Sequence, residues 1–427
     1  MNISHSMTTG TLRRYIFALS AVCWAVTPSL PAEDLDEDGL DDEVEAMLIE
    51  RHRPWLLFDN NEDLWPSSVV WFIQRSELVG HGTTYFTEAQ LAANPRLVLT
   101  AVSSSQGSSS GEFNPNNTDF HIDINSNYRA GQGPMPVGMY AHVTRLRDDV
   151  VLPRLTRPCS PGRPFACYLT TALGMNAGDI VLQYWQFFPY NDSQFYSCCE
   201  WYCGGFPCDP GDHEGDWLYL DLYISNEPPD FPLRYVVYHH HGDSSCPPSV
   251  LPWAGPLPED GVPRCYIEEG AHEWWPEPGD SSSVIFDCAE IAPHHGQHPN
   301  SYQADNVINL GERFAPMPNL EAELVVLFNG HWGDYTGDVE GDNPAGPIFQ
   351  YWPLPPLHVA HVDASFRSVA HDGAGSRYYP FQTIGGAVDA VESGGVVSPK
   401  AGSYREAITI TKRLDIIATS GPVTIGQ

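Results

Sequence analysis

Seven short stretches either alternate apolar with polar residues or run apolar without a break. They are "RLVLTAVS" from Arg96, "GMYAHVTRL" from Gly138, "DIVLQYWQFF" from Asp179 and "WLYLDLYIS" from Trp217, then "LRYVVYHHH" from Leu233, "SVIFDCA" from Ser283 and "AELVVLFNG" from Ala322. Period-two alternation in β-branched and aromatic residues, with Pro and Gly clusters between the runs, predicts strands. Many short strands joined by long turn-rich loops predict a mainly β fold, with a β-sandwich-like central domain over residues 47–357. The loops at 100–118 and 191–212 are long for connectors, and "SSSQGSSSG" from Ser103 is low-complexity.

Two flanks break this pattern. At the N-terminus, Arg13 and Arg14 precede an apolar run from Tyr15 to Val26, and Leu30-Pro31-Ala32 ends on a small residue. That is the layout of a secretory signal peptide over residues 1–32, so the expected location is secreted or extracytoplasmic. No later segment is apolar for long enough to span a bilayer, so no transmembrane segment is expected. At the C-terminus, residues 358–427 carry short β runs separated by Gly. Here Asp372-Gly373-Ala374-Gly375, Phe381-Gln382-Thr383-Ile384, Gly402, Tyr404 and Glu406 stand in order. This segment resembles the opening of pectate-lyase-like right-handed β-helix proteins. The resemblance implies a C-terminal parallel β-helix stub of about two coils and carries no lyase chemistry, because the groove in that class lies on later coils.

Charge narrows the partners. The chain holds 54 acidic and 21 basic residues, a formal charge of −33. Such a field repels polyanions, so nucleic acid is not an expected partner. It favours divalent cations, basic partners or simple solubility. Outside the leader there are nine cysteines: Cys159, Cys167, Cys198, Cys199, Cys203, Cys208, Cys246, Cys265 and Cys288. In an oxidising compartment they read as disulfides stapling long loops, with one left over.

"DLDEDGLDDEVE", residues 34–45, fits the calcium-loop pattern D-x-[DN]-x-[DN]-G-x5-E throughout. Asp34, Asp36 and Asp38 take positions one, three and five, Gly39 makes the turn, and Leu40 offers its carbonyl. Asp42 stands at position nine and Glu45 at twelve. A hard cation takes six to eight oxygens, which alternate acids on a tight loop supply. No helix precedes Asp34, and an exiting helix is expected from about Asp41 to Arg51. The segment (residues 33–46) resembles the half-motif calcium loops of bacterial extracellular proteins, so calcium is the expected cofactor.

A second cluster precedes the strand at Trp217. In "GDHEGDW", simple alternation puts His213, Trp217 and Tyr219 on one face. It puts Glu214 and Asp216 on the other, in line with Leu218, Leu220, Leu222 and Ile224. Carboxylates at the mouth of an apolar core need a metal, a basic residue or backbone N–H groups. "EGAHEWW" and "NGHWGDYTGD" repeat the His–acid–Trp flavour. His213, Glu214, Asp216, His272, His331 and Asp334 are therefore the candidate second metal or ligand site, for a further divalent cation.

With "DLWPSSVVWFIQRSEL" from Asp63 and "QYWQFFPYN" from Gln183, these motifs occur in an order similar to the vacuolar protein sorting-associated protein 62 family across residues 47–357. That family's name implies no mechanism. "HEGDW" is also similar to the heptapeptide of the necrosis- and ethylene-inducing-like toxins, which would make His213 and Asp216 metal-site members. This chain has Leu218 where such motifs end in Glu. Three functions follow as expectations. The first is a calcium-dependent glycan-binding or cell-surface-binding protein, whose many exposed-type Trp and Tyr residues can stack sugar rings. The alternatives are a metal-dependent hydrolase or polysaccharide-lyase relative, and a necrosis-inducing-like membrane-active toxin. No HExxH motif is present, and no nucleophile elbow or Ser-His-Asp pattern occurs in a supporting context.

Overall fold

The computed structural model describes residue 34 and residues 40–426, except 59–61, 81, 101–119, 134–138, 147–174, 177, 192–212, 239–248, 253–261, 271, 281–293, 296–299, 304–305, 312–318, 329, 334–345, 348–356, 367–379 and 419. The predicted leader, Asp36, Asp38, Gly39, Asp334, "SVIFDCA" and both long loops lie outside the described residues. Strands predominate over helices, in several sheets.

The first third holds α1 (Asp42–Arg51), β1 (Trp55–Phe58), α2 (Val69–Ile73), β2 (Ser76–Gly80), β3 (Thr83–Phe86), α3 (Glu88–Ala93) and β4 (Phe120–Ile124). Next come β5 (Met139–Arg145), β6 (Ile180–Asn191), β7 (His213–Ile224), β8 (Leu233–Tyr238) and β9 (Ser249–Pro252). Short strands follow: β10 (Arg264–Ile267), β11 (Trp274–Trp275), β12 (Gly279–Asp280), β13 (His294–His295), β14 (Asn300–Gln303) and β15 (Val307–Asn309). Then come α4 (Leu320–Leu327), β16 (Leu357–Val362), α5 (Ile384–Ala390), β17 (Val391–Pro399), β18 (Gly402–Tyr404), β19 (Asp415–Ile416) and β20 (Val423–Ile425).

The central sheet has the order β15-β5-β6-β7-β8-β9. β15 runs parallel to β5 and the remaining neighbours are antiparallel. Its two faces bury different cores. On one, Leu218, Leu220, Leu222 and Ile224 of β7 join Ile180, Leu182 and Tyr184 of β6. They pack against Leu56 and Phe58 of β1, Cys265 and Ile267 of β10, and Leu48 and Ile49 of α1. On the other, Trp217, Tyr219, Trp185 and Phe187 meet Phe72 of α2, Leu78 of β2, Ile122 of β4 and Val325 of α4. The odd–even split that simple alternation gives for residues 217–224 is therefore observed.

Two stretches read as strands are helical. "AELVVLFNG" lies largely in α4, because Asn319 caps the helix, accepting from the Ala322 N–H at 2.8 Å, and Glu321 and Glu323 occupy the first turn. The run is apolar around its whole circumference since both sides are covered, which removes the helical period. "RLVLTAVS" forms a helical turn over residues 97–100, opened after Pro95 by i to i−3 bonds such as Leu99 N–H to the Arg96 carbonyl at 3.1 Å.

In the C-terminal segment, β16, β17 and β19 pair in parallel, as do β18 and β20, around Val362, Ile384, Val388, Val397 and Tyr404. The quoted motif has a mechanical explanation. Glu406 accepts from the Ile384 and Gly385 N–H groups at 2.7 and 2.8 Å, covering the first turn of α5. Tyr404 donates to the carbonyls of Val362 or Lys400, at 3.1 and 2.8 Å.

Candidate functional site

The helix expected from about Asp41 to Arg51 is present. Asp41 N-caps α1, accepting from the Glu43 N–H at 2.8 Å, and the helix ends at Arg51. Leu40 is buried with Leu48 and Ile49. Glu45, the twelfth position of the loop, is only 2% exposed. One of its oxygens accepts from Asn309 Nδ2 at 2.9 Å, and Asn309 sits on β15, the edge strand of the central sheet. Asp34 and Asp42 are half-buried.

The second cluster divides. Gly215 has φ +67°, and an αL residue interrupts the pleat, so Glu214 and Asp216 do not share a face as simple alternation expects. Glu214 meets Ile124 of one core, while the His272 beside Asp216 stacks on Phe188 of the other. Glu214 accepts from the Ile124 N–H of β4 at 3.0 Å and from Arg129 at 2.8 Å. Arg129 in turn lies over the Tyr190 ring, 4.6 Å from its centre. Burial pushes the Glu214 carboxyl up to about 7, with the Arg129 and Ile124 hydrogen bonds pulling the other way.

Asp216 accepts from Asn191 Nδ2 at 3.1 Å and lies 3.2 Å from Nδ1 of His272. His272 stands at the end of the β10–β11 turn with φ +62°, a conformation that non-glycine residues adopt only when their surroundings impose it. Its ring stacks on Phe188, centres 3.7 Å apart and planes 10° apart. Its Nε2 is 3.9 Å from Oε1 of Glu62. Glu62 also accepts from the N–H groups of Leu64 at 2.7 Å and Gly270 at 3.1 Å. Burial raises its pKa, His272 being the leading counterweight. All three side chains of this acid–His–acid row are buried: Glu62 at 6%, Asp216 at 3% and His272 at 0% exposure. The imidazole thus lies between two buried carboxylates, within hydrogen-bond distance of Asp216 and 3.9 Å from Glu62.

Among the six residues of the candidate second site, the structure joins Asp216 with His272. His213 opens β7 opposite Asn191, with Nδ1 3.3 Å from the Glu214 carbonyl. His331 is buried and pairs its backbone with β4, its N–H reaching the Phe120 carbonyl at 2.9 Å. Among the described residues no three His, Cys, Asp or Glu side chains are arranged to hold a metal ion. Glu62, Arg129 and Asn191 complete the cluster and were not singled out from the sequence. Arg129 donates to Glu214 and Asn191 to Asp216.

No protein-family model, no curated protein and no solved structure matches the chain.

Trp185, Trp217, Trp274 and Trp332 are buried in the cores, and Tyr85 and Tyr128 are exposed large aromatics among the described residues. Cys265, on β10, is a buried free thiol. The other eight lie outside the described residues. No helix among the described residues is long and apolar enough to cross a membrane.

Proposed function

We propose that the chain is an extracytoplasmic β protein, stabilised by calcium at residues 34–45, that binds a glycan or cell-surface ligand. The supporting observation is the position of Glu45. The residue meant to close the calcium loop with both oxygens is held at the first turn of α1 and fastened through Asn309 to the edge of the central sheet. An ion gripped there would brace α1 against the sheet. In the same reading the central sheet and the sheet β11-β10-β1-β14 form a sandwich, and β16–β20 open a parallel β-helix. The burial of Glu62, His272 and Asp216 fits a structural row better than a site that admits substrate.

Thermal unfolding in millimolar calcium and in chelator tests this, with Glu45→Gln beside the wild type. Calcium at ten times its Kd stabilises by about 1.4 kcal/mol, a rise of a few degrees. Glu45→Gln is expected to lose most of that rise. An unchanged midpoint in calcium removes the proposal's first half; a glycan array bound in chelator as well as in calcium removes the link between its halves.

The hydrolase reading keeps one supporting observation, the strained backbone of His272 beside Asp216. Turnover of polymeric glycans or esters that is abolished by Asp216→Asn in a folded protein would put it first.

A further inference from the structure

We infer that the corner formed by Trp71, Arg75 and Tyr128 is the sugar-binding platform, and that it takes a carboxylate-bearing (uronate) residue. The inference rests on the glycan reading above and names its place and chemistry. Trp71 on α2 and Tyr128 on the 3-10 turn after β4 meet edge to face, ring centres 6.0 Å apart and planes at 87°. The Arg75 guanidinium fills the corner, 4.3 Å from the Trp71 ring centre and 5.4 Å from that of Tyr128. One of its N–H groups donates to the Trp71 carbonyl at 3.1 Å, which fixes the fork in place. Tyr128 is 37% exposed.

What marks this arginine is its double aromatic contact: its guanidinium lies against two rings, Trp71 and Tyr128. Arg53, Arg96, Arg129 and Arg234 each pair with a carboxylate. Arg75, like Arg51, Arg405 and Arg413, pairs with none among the described residues. Among the described residues its guanidinium meets two π faces and a carbonyl. A guanidinium stacked on aromatics keeps its remaining N–H edge for a planar anion, and a carboxylate matches that fork in a bidentate pair. The exposed Tyr128 ring offers an apolar face to the C–H side of a pyranose. Together they match a sugar with one ring face to stack and one carboxylate to pair. The negative field of the whole chain opposes a polyanion at long range, but salt screens it over about 8 Å, so the local pair decides the short-range preference.

Calorimetry in saturating calcium tests this with two probes. One is a tetrasaccharide alternating glucuronate with N-acetylglucosamine, the other a neutral tetrasaccharide of N-acetylglucosamine. The acidic sugar is expected to bind more tightly, and Arg75→Gln to weaken it about tenfold or more, in line with loss of a charged hydrogen bond. Arg75→Lys is expected to recover only part of that loss, since an ammonium lacks the fork. Tyr128→Ala is expected to weaken both sugars, and, being exposed, it serves as the deciding variant if Arg75→Gln lowers the unfolding midpoint. Acidic sugar bound equally by wild type and Arg75→Gln would put the platform elsewhere and leave the glycan reading standing. Equal affinity for both sugars would refute the uronate class. If the wild type bound neither, this inference and the glycan reading would fall together.

Discussion

Gly215 and Gly333 lie against each other's neighbours. A β-carbon at Gly215 would stand 2.0 Å from the Trp332 carbonyl oxygen, and one at Gly333 would stand 1.9 Å from that of Glu214. The contact locks the entrance of β7 to the segment after α4, joining "HEGDW" to "HWGD". It is the physical reason that Gly stands at both positions. Gly215→Ala faces a double penalty, the backbone collision and φ +67°, and is expected to destabilise by about 3 kcal/mol or more. Gly333→Ala meets the collision alone and is expected to cost about 1–3 kcal/mol. Urea unfolding measures both; a loss under about 1 kcal/mol at Gly215 would mean the two segments are not locked together.

How much of this was legible depended on the range of the interaction. β5 to β8 announced themselves because side-chain alternation is local, and α1 because Asp41 and the acids after it form a local cap. α4 was hidden, since a helix covered on all sides has no polar face to set its period, and the Asn319 cap was the only clue. At the site, the residue types were visible and the pairing was not. Asp216 meets His272 across 56 positions, and Glu214 meets Ile124 across 90. Nothing in "NNEDLW" tells a reader that Glu62 closes against His272. Simple alternation failed where Gly215 turns the strand.

The Glu62–His272–Asp216 row should behave as one unit. His272→Leu leaves two buried carboxylates without their shared partner and is expected to cost about 3–5 kcal/mol. Asp216→Asn removes one of those charges. The double variant is therefore expected to be less damaged than the two single losses combined, by at least about 1 kcal/mol. Additive losses in a double-mutant cycle would show that His272 owes its position to packing on Phe188 alone.

Two buried groups pull the pH dependence in opposite directions. Burial pushes the Glu214 carboxyl up to about 7 from its ordinary 4.5, so the native form holds the extra proton between those values. Its contribution to stability falls as pH rises from about 4.5 to 7, by up to about 3 kcal/mol. Glu214→Gln is expected to flatten that decline. His142 is the reverse: burial in the His142–Gln183–Asp221 row lowers its pKa from 6.5 to about 3. The unfolded chain takes up that proton first, so stability is lost as pH falls from 6.5 toward 3, and His142→Gln is expected to spare it. Denaturant midpoints taken across pH 4 to 8 separate the two slopes. A Glu214→Gln curve parallel to wild type would mean Arg129 compensates the burial of Glu214 in full.

The C-terminal motif gives the most local test. Glu406 closes two N–H groups of α5 from 22 and 21 residues away, and Thr383 closes a third, that of Gly386 at 3.1 Å. A carboxylate on a helix N-terminus gains from both the hydrogen bonds and the helix dipole. Glu406→Gln keeps the shape, loses the charge and is expected to cost about 0.5–1 kcal/mol; Glu406→Ala also loses the bonds, at about 1–2 kcal/mol. Because α5 packs on β16 and β17, the loss should appear first as faster amide exchange at Ile384, Gly385 and Val397 while the central sheet stays protected. Exchange that quickens equally in β6 and β7 would show that the parallel rungs and the central sheet unfold as one cooperative unit.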